Sequence, residues 1–369
     1  MQSFIPQRKL LMGPGPSDVS ERVLKALSRP TIGHLDPSFI KLMDETKTLL
    51  QYVFQTKNEL TMPISAPGSA GMEACFVNLI EPGDKVIVCQ NGVFGTRMKE
   101  NVIRSGGELV LVEDPWGEQT KPEKLRAALD ANPDTKIVAF VHAETSTGVR
   151  NDAQTLCAIA KEYDCLTLVD AVTTLAGIEL RVDDWQIDAI YSGTQKCLSC
   201  VPGLSPVSFS EAALEKIKSR KTPVQSWFLD LNLILGYWGQ GAQRAYHHTA
   251  PVNSIYALHE SLLMVKEEGL ENAWERHQNN HNYLRDELQK IGLNMTIDAA
   301  YRLPQLNLVD IPKGCDDAKI RKQLLNEFDV EIGAGLGALA GKVWRIGLMG
   351  ESSNRQKIDT CIAALKAVL

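Results

Sequence analysis

Six short apolar runs rich in β-branched residues recur along the first part of the chain. They are "KVIVCQ" (85–90), "ELVLVE" (108–113), "KIVAFVHAE" (136–144), "CLTLVDAV" (165–172), "IDAIYSG" (187–193) and "SPVSFS" (205–210), and each reads as a strand. Between several of them lie segments with helical spacing, such as "KPEKLRAALDA" (121–131) and "AQTLCAIAKEY" (153–163). Strands apolar on both faces that alternate with helices predict a largely parallel sheet covered on both sides. The pattern therefore predicts an α/β unit over residues 20–260.

The period then changes. Residues 254–292 keep helical spacing throughout, with a break expected near Gly269. After them "YRLPQLNLVDIP", "CDDAKIRKQLLNEF", "DVEIGAG", "GKVWRIGLM" and "RQKIDTCIAALKAVL" alternate strand and helix again. This predicts a smaller α+β unit, with the long helix as the hinge between the two. No Gly/Ser-rich linker and no internal repeat separates them.

Length and charge narrow the possibilities. The chain has 369 residues, more than the ~250–300 at which single cores stop growing. A net charge of −6 without a basic stripe argues against a nucleic-acid partner. The start "MQSFIPQRKLLMGPGPSD" lacks the apolar region of a signal peptide, and no apolar run reaches the ~18 residues of a membrane span. A cytoplasmic protein is expected. Of its eight cysteines, Cys75, Cys89, Cys157 and Cys165 lie within apolar stretches, where a thiol packs as a small hydrophobe. Cys197 and Cys200 form a C-x-x-C, but no second pair completes a tetrahedral metal set. His247 and His248, read as strand neighbours, point to opposite faces and do not chelate one ion together. No metal is expected.

Two glycine clusters need separating. "VEIGAGLGALAG" (330–341) matches G-x-G-x-x-A, but it runs straight into the strand-like "KVWRIGLM". It leaves no room for the helix that a dinucleotide site requires, and a glycine-rich hairpin is expected instead. "SAPGSAGMEACFVNLI" (65–80) continues as a helix. Small residues at a helix start let backbone amides approach an anion.

The chemistry gathers at strand ends. Asp170 closes "CLTLVD", where a bare buried carboxylate costs several kcal/mol; it either caps the next turn or meets a positive partner. Lys196 follows the next strand through Ser192, Gly193, Thr194 and Gln195. A lysine, a carboxylate and an anion cradle at one sheet edge are what pyridoxal 5'-phosphate needs: an amine for the aldehyde, a charge beside the pyridine nitrogen and a phosphate site. Phe94 either stacks on a flat heterocycle or packs in the core. Thr145 either offers a hydroxyl at the same edge or caps a helix. Arg345 interrupts the apolar "VWRIGLM", and residues 342–350 hold no acid; its partner is a distant acid or a substrate carboxylate.

The chain resembles the class V aminotransferases of fold type I, and within them the alanine–glyoxylate and serine–pyruvate aminotransferases. The resemblance rests on "MGPGPS" (12–17), "YVFQTKN" (52–58), "HAETSTGV" (142–149), "LVDAVTTLAG" (168–177), "YSGTQKCL" (191–198), "YHHTAPV" (246–252), "GLEN" (269–272) and "WRIGLMG" (344–350). It implies a large PLP-transferase domain with a mostly parallel seven-stranded sheet over 20–260. A smaller C-terminal α+β domain would span 261–369, completed by residues 1–19.

The same resemblance implies Lys196 as the lysine that holds the cofactor, Asp170 as partner of its pyridine nitrogen and Phe94 as the stacking ring. Gly68, Ser69, Ala70 and Gln195 match phosphate contacts, and Thr145 and Val172 match further cofactor contacts. Tyr246 and Thr249 match residues that cross a homodimer interface to the phosphate, and Arg345 matches the arginine that holds the substrate carboxylate. The chain departs from the family at 65–71, where relatives often carry histidine at the position of Ser69. The implied reaction moves an amino group from alanine or serine to glyoxylate or pyruvate. A different amine donor, an aminophosphonate or pyridoxamine, is the alternative, as is a PLP-dependent lyase. A desulfurase would need a mobile catalytic cysteine, and Cys197 and Cys200 sit too close to Lys196 for that. A non-catalytic binding protein would have no use for Asp170, Lys196 and Arg345 together.

Overall fold

The computed structural model describes residues 1–239 and 244–369. Seven strands build the central sheet: β1 (Leu60–Ile64), β2 (Lys85–Gln90), β3 (Glu108–Glu113), β4 (Ile137–Val141), β5 (Leu166–Asp170), β6 (Ala189–Tyr191) and β7 (Ser205–Phe209). Their order across the sheet is β1-β7-β6-β5-β4-β2-β3. Every neighbouring pair is parallel except those of β7, which runs antiparallel to β1 and β6. The helices Val93–Arg104, Pro122–Ala131 and Ala153–Glu162 make the crossovers between parallel strands, as parallel pairing requires. The fold is the α/β architecture that the alternating pattern predicted.

Two details differ from the pattern. The run 136–144 is not one strand. The backbone leaves the sheet after Val141, where the His142 amide donates to the Asp170 carbonyl at 3.0 Å. Ala143–Glu144 then pairs antiparallel with Val149–Arg150 as a small hairpin. The pattern also missed β1, whose "LTMPI" carries a proline. Pro63 lies opposite Pro206 on the edge strand, where a missing amide costs no ladder bond.

The helical stretch breaks at Gly269 (φ 84°) into Val252–Glu268 and Leu270–Lys290, as expected. The boundary expected at 260/261 lies within the first of these. Beyond them Leu306–Asp310, Val343–Gly347 and Gly333–Ala334 form a three-stranded antiparallel sheet. The glycine cluster at 330–341 supplies a hairpin strand and a short 3-10 turn, so no dinucleotide-binding helix follows it. A second hydrophobic cluster, with Met12, Leu284, Val309, Trp344 and Ile358 among its members, packs apart from the main one. Residues Leu10–Leu11 reach it by pairing parallel with Val330–Glu331. Among the described residues no helix is long and apolar enough to cross a membrane.

Candidate active site

The site forms where β5 and β6 end side by side. Their parallel register places Asp170 beside Tyr191. Asp170 is 2% exposed. It accepts from the Tyr191 hydroxyl at 2.7 Å and from the Val172 amide at 2.8 Å. Burial pushes its carboxyl up to about 6, against the pull of those two hydrogen bonds. Lys196 stands in the turn after β6. Its ammonium donates to the carbonyl of Pro14, and the N-terminal segment passes over it so closely that a Cβ on Gly15 would lie 2.6 Å from Nζ. Gly15 also has φ 106°, a conformation other residues rarely adopt. Burial pulls the Lys196 amine down to about 8; the charges of Arg345 and Arg97 add to this, and Asp170 opposes it.

Beside them lies the cradle. The helix Gly68–Leu79 starts after Pro67 without a side-chain cap, so the amides of Gly68 and Ser69 remain to be satisfied, while that of Ala70 donates to the Pro67 carbonyl at 2.7 Å. Gly68 packs closely: a Cβ there would touch the Ser192 carbonyl, Val172 and Gly193. Gln195 is the telling residue. Its Oε1 is buried without a hydrogen-bond partner, in the space that a Cβ on Gly193 would otherwise crowd, 3.0 Å away. Ser69 is exposed and Ala70 half-buried at the same helix start.

The hairpin after β4 brings the third group. Thr145 shares a 2.5 Å hydrogen bond with Thr173 and caps no helix. Its carbonyl accepts from Arg345 Nη1 at 3.3 Å, while Arg345 Nε donates to the Ala334 carbonyl at 2.7 Å. Arg345 is 7% exposed, and among the described residues no carboxylate lies within ion-pair distance of it. Burial pulls its guanidinium down to about 10, with Glu144 opposing. Phe94 is half-buried, and the Arg97 guanidinium lies 4.8 Å from its ring centre.

A family model of the class-V aminotransferases matches residues 16–349. The chain belongs to the class-V aminotransferases. An alanine–glyoxylate aminotransferase of Felis catus is 41% identical over 368 residues, covering 99% of this chain and 88% of that one. A (S)-ureidoglycine–glyoxylate transaminase of Bacillus subtilis is 37% identical over 380 residues, covering 98% and 90%. The crystal structure of an alanine–glyoxylate aminotransferase from Nostoc sp. superposes with a TM-score of 0.97 at 46% identity, covering 100% of this chain and 97% of that one.

In this class-V aminotransferase the fold brings Lys196, Asp170, Val172, Gln195, Gly68, Thr145 and Arg345 to one edge of the sheet. It does not bring Tyr246 and Thr249 there. Tyr246 is 63% exposed, with its ring 5.3 Å from that of His34, and Thr249 is exposed. The histidine pair corrects the strand reading. Residues 246–250 form no strand, and the Nδ1 atoms of His247 and His248 meet at 2.8 Å. The outer nitrogen of His248 bonds Ser65 at 2.7 Å, and His247 stacks on Trp227 at 4.6 Å. Cys197 and Cys200 are free and buried, and burial pushes both thiols up to about 12.

Sequence reasoning missed Glu144 and the Pro14 carbonyl. Glu144 carried a signal: it is an acid at the end of "KIVAFVHAE", a run otherwise apolar but for Lys136 and His142. The Pro14 contact spans 182 residues, and no local pattern carries it.

Proposed function

We propose that this chain is a pyridoxal 5'-phosphate-dependent aminotransferase that moves an amino group from alanine or serine to glyoxylate or pyruvate. The observation that carries the reading is Arg345: a buried guanidinium, held by two carbonyls, with no acid of its own among the described residues. A charge so placed is costly unless a ligand carboxylate completes it.

The residues fit the cofactor. The uncapped helix start at Gly68 and Ser69, followed by Ala70, suits a phosphate, and the Gln195 side chain beside it carries an amide nitrogen that can donate. Asp170 would face the pyridine nitrogen, Phe94 the ring, and Thr145 and Val172 its edge. Bound there, the cofactor supplies an aldehyde for Lys196 and a ring that takes up electrons when the donor's Cα–H bond breaks. The protein does the rest. Arg345 orients the donor by its carboxylate. The Lys196 amine, its pKa lowered to about 8 by burial, would take the Cα proton and return it two atoms away, to the carbon of the cofactor's former aldehyde. Asp170 holds a proton on the ring nitrogen, since an adjacent cation favours its ionised form. Glyoxylate or pyruvate then runs the sequence in reverse.

Identity of 41% to a protein named alanine–glyoxylate aminotransferase supports this pair of substrates. The Bacillus subtilis relative favours a second reading within the same chemistry, with (S)-ureidoglycine as donor. The buried, high-pKa thiols speak against a cysteine-dependent lyase. We also read the working unit as a homodimer, with Tyr246 and Thr249 completing the partner's site. Exposed Trp227, Leu233 and Tyr246 support such a face. The second core supports a small domain over 261–369 completed by residues 1–19, and eight free cysteines suit a cytoplasmic setting.

The test is a half-reaction. Cofactor-loaded enzyme given alanine alone should release one pyruvate per chain, and added glyoxylate should then yield glycine. Release only from ureidoglycine would select the second reading, and release from no amine donor would overturn both.

A further inference from the structure

The helix Val93–Arg104 carries Phe94 in its first turn, yet it begins at Gly92, which has no side chain to cap it. The open amides at a helix start need acceptors. Here they come from the hairpin after β4. The Val93 amide donates to Ser146 Oγ at 2.9 Å, and the amides of Phe94 and Gly95 donate to Glu144 Oε2 at 3.1 and 3.3 Å. The other oxygen of Glu144 accepts from the Ser146 amide at 3.0 Å and its hydroxyl at 2.6 Å. Glu144 is 0% exposed. Its carboxyl fills the place of the missing cap: a Cβ on Gly92 would lie 2.5 Å from Glu144 Cδ. The backbone of Gly92 is extended (φ 179°), so space and not conformation calls for glycine there.

We propose that Glu144 is the positioning residue for the Phe94 ring, capping the helix Val93–Arg104 from another element and so setting where that ring meets the cofactor. Four hydrogen bonds fix the carboxyl group; with the positive end of the helix dipole they oppose the burial that pushes it up to about 7. The same hairpin carries the Thr145 carbonyl that holds Arg345, so one short turn registers the ring against the carboxylate clamp. The proposal rests on the reading of Phe94 as the stacking residue.

The experiment is a double-mutant cycle on the full chain with Glu144→Gln and Phe94→Ala, separately and together. The readouts are the cofactor dissociation constant and the circular dichroism of the bound cofactor's absorption band. Glutamine keeps the size but sets an NH2 group against either the helix amides or the Ser146 amide. Loss of such a cap should weaken cofactor binding by about tenfold and reduce the dichroic band. On the Phe94→Ala background Glu144→Gln should add less than about twofold, because both act through the same ring. Effects that multiply in the double variant, or unchanged binding in Glu144→Gln, would overturn the proposal. If Phe94→Ala alone leaves binding and dichroism unchanged, the reading of Phe94 fails first and takes this one with it. Should Glu144→Gln not fold, Ser146→Ala removes the Val93 acceptor and one bond to Glu144. It should shift both readouts the same way, again without effect on the Phe94→Ala background, and a multiplying effect there refutes the proposal equally.

Discussion

Replacing Arg345 separates an amino-acid transaminase from any other use of this pocket. The guanidinium spends Nε on the Ala334 carbonyl and Nη1 on the Thr145 carbonyl, and the rest of its fork is left for a ligand. At 7% exposure the site is poor in water, so two parallel charge-assisted bonds to a carboxylate are worth about 2–4 kcal/mol. Arg345→Met should therefore lower kcat/KM for alanine by about 30- to 900-fold, at 1.36 kcal/mol per tenfold. Arg345→Lys should recover only part of this, because a single ammonium cannot reproduce the planar fork. The assay is the half-reaction with alanine and with ethylamine, which is alanine without its carboxylate. Ethylamine should be a poor donor for the wild type and change less than about threefold in either variant. If both donors slow equally, Arg345 is a structural residue and the carboxylate argument fails.

Three further outcomes follow from the same geometry. Asp170→Asn should keep the fold, since an amide still bonds the Val172 amide and the Tyr191 hydroxyl, but lose about 100-fold or more in turnover; near-wild-type turnover would assign the ring nitrogen to another group. The cofactor-free chain should capture pyridoxal 5'-phosphate at a rate that rises tenfold per pH unit and levels above about 8, where the Lys196 amine becomes neutral. An ordinary lysine at 10.5 would instead be about 160-fold less neutral at pH 8 and keep the rate rising past pH 10. Tyr246→Ala should weaken cofactor binding although Tyr246 is 63% exposed on its own chain, and the loss should be rescued in mixed dimers with Lys196→Ala chains; a fully active monomer in sedimentation would refute the shared site.

The main sheet was legible because its strands are apolar on both faces, a pattern few other structures share. β1 was not, because Pro63 argues against a strand unless the facing Pro206 is known. Asp170 and Arg345 stood out as charges in apolar runs and Lys196 as a lysine in the small polar turn just past one, which are local signals. The seals around them are not local. Pro14 reaches Lys196 from the far end of the chain, and Glu144 reaches Gly92 across two elements. Tyr246 and Thr249 came only through the family likeness, and within one chain both are exposed. The histidine pair was misread because alternation was assumed where the backbone is irregular.

The central claim is that Lys196 carries the cofactor. Borohydride reduction of the loaded enzyme, followed by peptide mapping, tests it most directly. The account predicts one cofactor per chain, fixed to the peptide that contains Lys196, and none fixed in Lys196→Ala. A label on any other lysine of the wild type would contradict it.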